Sequence, residues 1–383
     1  MIKKVFILSL LFLFCLVGSV QAAWLGTWEN RIKLTIDETK VDTANQSDFP
    51  VMVYLSAASG IGNVDVSCVF DELTADGNRK KIAVTSSDGT TELYVEIERW
   101  DDANEKAWLH VKVPSVTHAT DSTLYFYYDV DHADNDTYVG DTNDVVAENV
   151  WDNNSKAVYH MADGASTSTI YDSTSNDNDG TKKSANNPTE AAGKIGYGQD
   201  CSSDYIKVDY DASLYCGTEM TVSFWVESDI TDYSSSGYPV AMWDYVDTNR
   251  VWAVLIATID EWVFYGGVNG AVGSDIQFEV GIDTTMHHIV VVGSNTTKSW
   301  SLYVDGEFSK NGSTDNSYTN ESSFLTICGL DDDNYFDGIL DEVLISSEAR
   351  SAAWIKASYN SGNDSLITFG SETSKRRPQI LIF

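Results

Sequence analysis

The chain has 383 residues, with 24 Lys+Arg against 58 Asp+Glu and a formal net charge of −34. A surface this acidic repels phosphate backbones and anionic headgroups, which excludes nucleic-acid and membrane-surface roles. It suits divalent cations, high salt or neutral glycans, and solubility alone also accounts for it.

Residues 1–22 are read as a secretory signal peptide. Lys3 and Lys4 precede the apolar run Val5–Val20, and Val20-Gln21-Ala22 offers small residues for cleavage. The run is shorter than the roughly 20 apolar residues a spanning helix needs. The mature chain is therefore expected to be secreted, extracellular or on a cell surface, with no membrane insertion after cleavage. It keeps 22 Lys+Arg against 58 Asp+Glu.

From Trp28 to about Asp129 the pattern is strand, turn, strand. Arg31–Ile36, Phe49–Leu55, Leu93–Glu98, Trp108–Val113 and Leu124–Tyr128 have strand character, and Asp76-Gly77 and Asp88-Gly89 are turn dipeptides between them. Many short strands without helical periodicity predict an antiparallel β-sandwich over residues 23–145. His132–Asn143 is polar and places the boundary near residues 140–150.

The second half begins at Val150-Trp151. Ala165–Pro188, rich in Ser, Thr, Asn, Asp and Gly, reads as loops and short edge strands. Strands are predicted at Ile206–Val208, Met220–Val226, Val251–Ile256, Trp262–Tyr265, His288–Val292, Trp300–Val304, Phe324–Cys328 and Gly338–Ile345. Only Ser347–Tyr359 has helix character, with Ser347 as its cap. Residues 373–383 match nothing before them and read as a flexible tail. The fold class is all-β, two antiparallel β-sandwich domains, the second spanning 146–372.

The second domain carries an ordered series of motifs. They run from Val150-Trp151-Asp152 and Ala157-Val158-Tyr159-His160-Met161-Ala162-Asp163 through Met220-Thr221-Val222-Ser223-Phe224-Trp225 and Leu302-Tyr303-Val304-Asp305-Gly306. Phe336-Asp337-Gly338-Ile339-Leu340-Asp341-Glu342-Val343 and Ala349-Arg350-Ser351-Ala352-Ala353-Trp354-Ile355 complete the series. This order resembles the laminin G-like (concanavalin A-like) jelly roll. Cys201-Ser202-Ser203 departs from that family's aromatic-small-Gly turn. The first half, through Ile97-Glu98-Arg99-Trp100-Asp101, Ala107-Trp108-Leu109-His110-Val111-Lys112-Val113-Pro114 and Tyr125-Phe126-Tyr127-Tyr128, resembles an uncharacterised β-rich family found ahead of such jelly rolls in secreted proteins.

Motifs for metalloproteases, serine hydrolases and phosphate loops are missing from the sequence. Glycoside hydrolysis needs two carboxylates roughly 5 to 10 Å apart. Glu96 and Glu98, at i and i+2 on one strand about 7 Å apart, are the best such pair; the plainer reading is a solvated strand face with Arg99 as partner. No catalytic residue is assigned.

The resemblance implies that calcium is a possible cofactor. Oxygen ligands are offered by Asp172, Asp177 and Asp179 in one loop, and by Asp331 and Asp333 near the last strands. Asp341 is a position the resemblance singles out, for ligation or for a structural hydrogen bond. Trp243, Tyr245 and Trp262 are the candidate sugar-stacking rings, against the alternative that such rings are core. His160, His287 and His288 read as structural. Cys201 with Cys216 is the best local disulfide among the three complete pairings of Cys68, Cys201, Cys216 and Cys328.

These readings together imply a secreted, non-catalytic binding protein whose partner is a glycan or a surface protein. The alternatives are a structural or adhesive component of an envelope, matrix or virion, and a glycan-active hydrolase.

Overall fold

Strict alternation of apolar and polar side chains lets one face of a strand be buried while the other meets a second surface. The computed structural model describes residues 22–163, 168–184, 187–202, 204–229, 237–243, 250–258, 261–266, 276–279, 284–313, 323–330 and 334–375.

The first sandwich faces a five-stranded sheet against a four-stranded one. The five-stranded sheet runs, in spatial order, Ile367–Ser374, Asn30–Ile36, Ser122–Tyr128, Ile82–Thr85 and Glu92–Leu93. The four-stranded sheet runs Gln46–Leu55, Lys106–Val116, Val95–Asp101 and Val139–Asp141. Ile32, Leu34, Phe126 and Val84 of one sheet pack on Val51, Val53, Leu109, Val111 and Ile97 of the other in a single core. At about 25 cal/mol per Å² of apolar area removed from water, rows of this kind are the main stabilising term.

The second sandwich has the expected jelly-roll layout. One sheet runs Thr169–Ile170, Gly180–Lys182, Ile206–Val208, Leu325–Ile327, Gly237–Trp243, Arg250–Thr258, Glu261–Gly266 and Ile276–Glu279. The other runs Thr189–Ala192, Tyr197–Asp200, Gly338–Ser346, Glu219–Ser228, His287–Ser294, Ser299–Val304 and Glu307–Ser313, with Ser155–Tyr159 also paired to Gly338–Ser346.

That last sheet is buried on both faces. Ala157, Tyr159, Val343, Ile345, Ile289 and Val291 enter the jelly-roll core, while Val158, Leu344 and Val290 between them enter the core of the first sandwich. The helix Ala352–Gly362 lies in the same seam, where Trp354 meets Phe49 edge-on at 5.9 Å between ring centres. This sheet therefore stands between two apolar clusters, the jelly-roll core on one face and the cluster it shares with the first sandwich on the other.

Three expectations change. The strand Ile367–Ser374 pairs with Asn30–Ile36 and belongs to the first sandwich, so residues 367–372 leave the predicted second domain and 373–374 leave the predicted tail. Alternation explains the capture: Ile367 and Phe369 point into the first core, while Thr368 is exposed. The helix is capped by Ser351, whose hydroxyl accepts from Trp354 N, and Ser347 instead donates to Asn154 O. Cys201 is bonded to Cys328, 127 residues away, and not to Cys216. Cys201 N donates to Gly338 O of one jelly-roll sheet and Cys328 N to Pro239 O of the other, so the bridge crosses between sheets that sequence proximity does not reveal.

Candidate functional site between the two sandwiches

The four-stranded sheet turns a polar row toward the jelly roll. Glu96 and His110 stand directly opposite each other on neighbouring strands, flanked by Val95, Ile97, Leu109 and Val111, which face the other way into the core. One residue along, the pairing slips between Ile97 and Arg99, leaving Glu98 as the extra residue of a β-bulge. The bulge re-aims the Glu98 carboxylate, whose Oε2 lies 3.0 Å from His110 Nε2.

The jelly roll answers from its own sheet. His160 and Glu342 lie one step past the paired residues Tyr159 and Val343, and His160 Nδ1 is 2.7 Å from Glu342 Oε1. Against its other neighbour this strand also slips, between Ser223 and Trp225, so that Glu342 and Val343 form a bulge. Glu342 has φ +50° and Met161, beside His160, has φ +62°. Left-handed backbone at residues with a Cβ costs free energy, of order 1–3 kcal/mol, and concentrates where side-chain aim matters.

The two halves meet in the seam. The His110 and His160 rings stack at 4.4 Å, and His160 Nδ1 is 3.8 Å from Glu98 Oε2. Glu98, His110, His160 and Glu342 each present one donor atom, all within 4.8 Å of one another. The side chains of Glu96 and Glu98 are fully buried. Gly196, with φ +54°, makes room: a Cβ there would come within 2.5 Å of Glu98 Oε1.

Glu96 has a different task. Its Oε1 accepts from Ser173 Oγ at 2.7 Å and Thr142 Oγ1 at 2.9 Å, and its Oε2 from Trp151 Nε1 at 2.7 Å. These donors come from the jelly roll, the first sandwich and the link between them. His160 Nε2 is a further 3.3 Å neighbour.

Charge and burial set the protonation states. Burial opposes ionisation of Glu96, but His160 and the hydrogen bonds outweigh it and hold this carboxyl well below its ordinary range. Burial, then Glu342, push Glu98 well above that range, and the same two causes raise Asp341. Burial, then His160, lower His110 to about 4. Burial works against His160 as well, yet Glu342 and Glu96 lift it well above its usual value.

A cleft of about 520 Å³ opens beside this cluster, with Glu98 and His160 in its wall together with Arg79, Arg99, Asn143 and Tyr171. Arg79 forms a two-pronged pair with Asp141 at 2.6 and 2.8 Å. Arg99 lies over the Tyr197 ring at 3.7 Å and approaches Glu190 at 4.0 Å, instead of pairing with Glu98.

The residues singled out by sequence fall as follows. Trp243 and Trp262 are only 5% and 2% exposed and belong to packed clusters, so neither ring offers a face to a sugar; Tyr245 lies outside the described residues. Asp172 is buried, and its two oxygens accept from Val158 N, Thr174 N, Thr174 Oγ1 and Asn178 N. Four donors fill its lone-pair directions and do not fit a calcium ligand. Asp179 accepts from Asp172 N, and Asp177 occupies left-handed backbone at φ +53° in the same turn. Asp331 and Asp333 lie outside the described residues. Asp341 accepts from Lys194 N and Ile195 N, the structural option. Glu96 and Glu98 share a site, but buried between domains and not on a solvated face.

Nothing in the local sequence marks His110 or Glu342 as functional, and His160, expected to be structural, lies in the same cluster. One signal pointed to the seam: Ala157-Val158-Tyr159, Val343-Leu344-Ile345 and Ile289-Val290-Val291 are apolar without alternation, the mark of a sheet covered on both sides.

Comparison with known proteins agrees with this architecture. A family model described as the concanavalin A-like lectin/glucanases superfamily (Laminin_G_3) matches residues 200–356, and one described as a domain of unknown function (DUF2341) matches 78–155. No curated protein matches the chain. Similar solved structures include the binding domain of Paraclostridial mosquitocidal protein 1, at 15% identity over 54% of this chain and 52% of that one, TM-score 0.44. The botulinum neurotoxin serotype D binding domain has 14% identity over 54% and 52%, TM-score 0.43. The binding domain of botulinum neurotoxin DC in complex with SialylT has 12% identity over 55% and 52%, TM-score 0.40. The chain spans about half the length of each. Among the described residues no helix is long and apolar enough to cross a membrane. The segment that matches the DUF2341 model thus contributes Glu96, Glu98 and His110, and the segment that matches the concanavalin A-like model contributes Glu342.

Proposed function

We propose that this is a secreted, non-catalytic binding protein that recognises a glycan in the cleft between its two sandwiches. The observation that carries the reading is the cleft itself. Its volume falls in the roughly 300–1,000 Å³ range of ligand sites. Its wall combines the Tyr171 ring and the Arg99 guanidinium with the hydrogen-bonding groups of Asn143 and Asp141. Planar faces beside fixed polar groups suit a pyranose, which has apolar C–H faces and a rim of hydroxyls. The lectin-like domain type is in keeping with such a ligand. Secretion is supported by the N-terminal pattern of residues 1–22 and by the Cys201–Cys328 bridge, since disulfides persist in oxidising compartments.

The hydrolase alternative loses its best pair. Glu96 is tied up by three hydrogen-bond donors, and the Glu98 side chain, although beside the cleft, exposes no surface to it. A general acid or base must reach its substrate.

A glycan array probed with the folded chain tests the proposal. Binding that falls at least tenfold in Tyr171→Ala and Arg99→Ala, with unchanged circular dichroism, supports it. Silence across the array, or binding indifferent to both changes, overturns the cleft as a sugar site and favours the structural or adhesive role.

A further inference from the structure

We propose that Glu98, His110, His160 and Glu342 form a closed four-coordinate site for a divalent first-row transition-metal ion, zinc by preference, which clamps the two sandwiches together. The inference is independent of what the cleft binds.

The donor set has the right chemistry. Two imidazoles and two carboxylates suit zinc, whereas calcium takes six to eight oxygens. Two carboxylates and two neutral imidazoles also balance one divalent charge. The seam gathers the carboxyls of Glu96, Glu98 and Glu342 around two imidazoles. Buried carboxylates need compensating charge. Arg99, the cation adjacent in sequence, is engaged elsewhere.

The geometry is that of ligands drawn together around a centre. His110 and Glu98 are 3.0 Å apart, and His160 and Glu342 are 2.7 Å apart, as hydrogen-bonded pairs. Ligands at the roughly 2.0–2.1 Å bond lengths of zinc sit about 3.3 Å from one another, so separations within 4.8 Å require only sub-ångström to ångström adjustment. Glu98 Oε1 is buried and lacks a hydrogen-bond partner, a cost that a simple structural network would avoid. Both carboxylates sit at β-bulges, and left-handed backbone falls at Glu342 and beside His160. Local irregularities on two separate sheets thus converge on one point. Two ligands come from each sandwich, so an ion there would link them across the seam.

The test is titration of the chelator-stripped full chain with Co²⁺ and then Zn²⁺. The expected result is one equivalent bound, visible absorption typical of four-coordinate Co²⁺, and loss of that absorption when zinc displaces it. His110→Gln and Glu342→Gln should each weaken binding at least roughly 10–100-fold, the loss that even a supporting group around a metal can cause. His118→Gln, on an exposed side chain, should change nothing. Because the first two variants could misfold, His160→Cys is added. A thiolate ligand at that position introduces a sulfur-to-cobalt charge-transfer band that a purely structural histidine would not produce. Absence of stoichiometric binding, or binding untouched by His110→Gln and Glu342→Gln with no new band in His160→Cys, overturns the proposal.

Discussion

The indole Nε1 of Trp151 donates to Glu96 Oε2 across 2.7 Å in a fully buried contact. Glu96 belongs to the first sandwich and Trp151 to the link, and Ser173 of the jelly roll completes the same carboxylate. Glu96→Ala would leave these donors and Thr142 unanswered in the interior. Each buried unsatisfied group costs about 1–3 kcal/mol. The expected loss is about 3 kcal/mol or more in urea unfolding, together with faster proteolysis near residues 142–151. Glu96→Gln keeps the shape but replaces an acceptor with a donor, and is expected to lose less.

His288 sets a pH dependence. Its ring is buried, Nε2 bonds Ser223 Oγ at 2.8 Å, and burial lowers its titration to about 4. The unfolded chain binds this proton near the ordinary value of 6.5. Between these values the unfolded state therefore holds more protons, and stability falls as pH falls. The contribution is on the order of 3 kcal/mol between pH 6.5 and 4. Asp172, which burial raises to about 6, acts in the opposite sense, favouring the fold as pH drops toward 4. Comparison with His288→Gln isolates the first effect: the variant's stability should fall less steeply over that window in denaturant titrations.

The Cys201–Cys328 bridge closes a long loop. In the chain-entropy picture a loop of this size contributes about 4–5 kcal/mol. Reduction is expected to lower stability by a few kcal/mol. Cys216→Ser should leave the bridge intact on non-reducing peptide mapping, because the Cys216 thiol is buried and pushed up to about 12. In the unsubstituted chain, a Cys201–Cys216 peptide on the same mapping would contradict the fold.

Trp262 is a core ring, packed against Phe224 at 6.2 Å. Trp262→Ala is therefore expected to cost about 3–5 kcal/mol of stability. Selective loss of sugar binding at unchanged stability would contradict its burial.

The all-β class, the two sandwiches and most strands were legible in the sequence because alternation and turn dipeptides are local. Arg31–Ile36, for example, alternates polar and apolar side chains within its own sequence. The Glu98–His110–His160–Glu342 cluster was not, because Val-Glu-Ile-Glu reads identically whether its polar side meets water or another sheet. Only the facing of two sheets distant in sequence decides between them. The bulges that aim Glu98 and Glu342 depend on register, which no local pattern records. The disulfide failed for the same reason: nearness along the chain stood in for nearness between sheets.

The pairing of Ile367–Ser374 with Asn30–Ile36 has a practical consequence for anyone dividing the protein. A cut near residue 145 does not release a self-sufficient unit. It strips the first sheet of its border strand and leaves Asn30–Ile36 with bare amide and carbonyl groups along its length, the kind of surface that recruits other chains. The molecule is interlaced, and an expressible first half has to carry its closing strand with it, by circular permutation or by supplying that strand as a separate peptide.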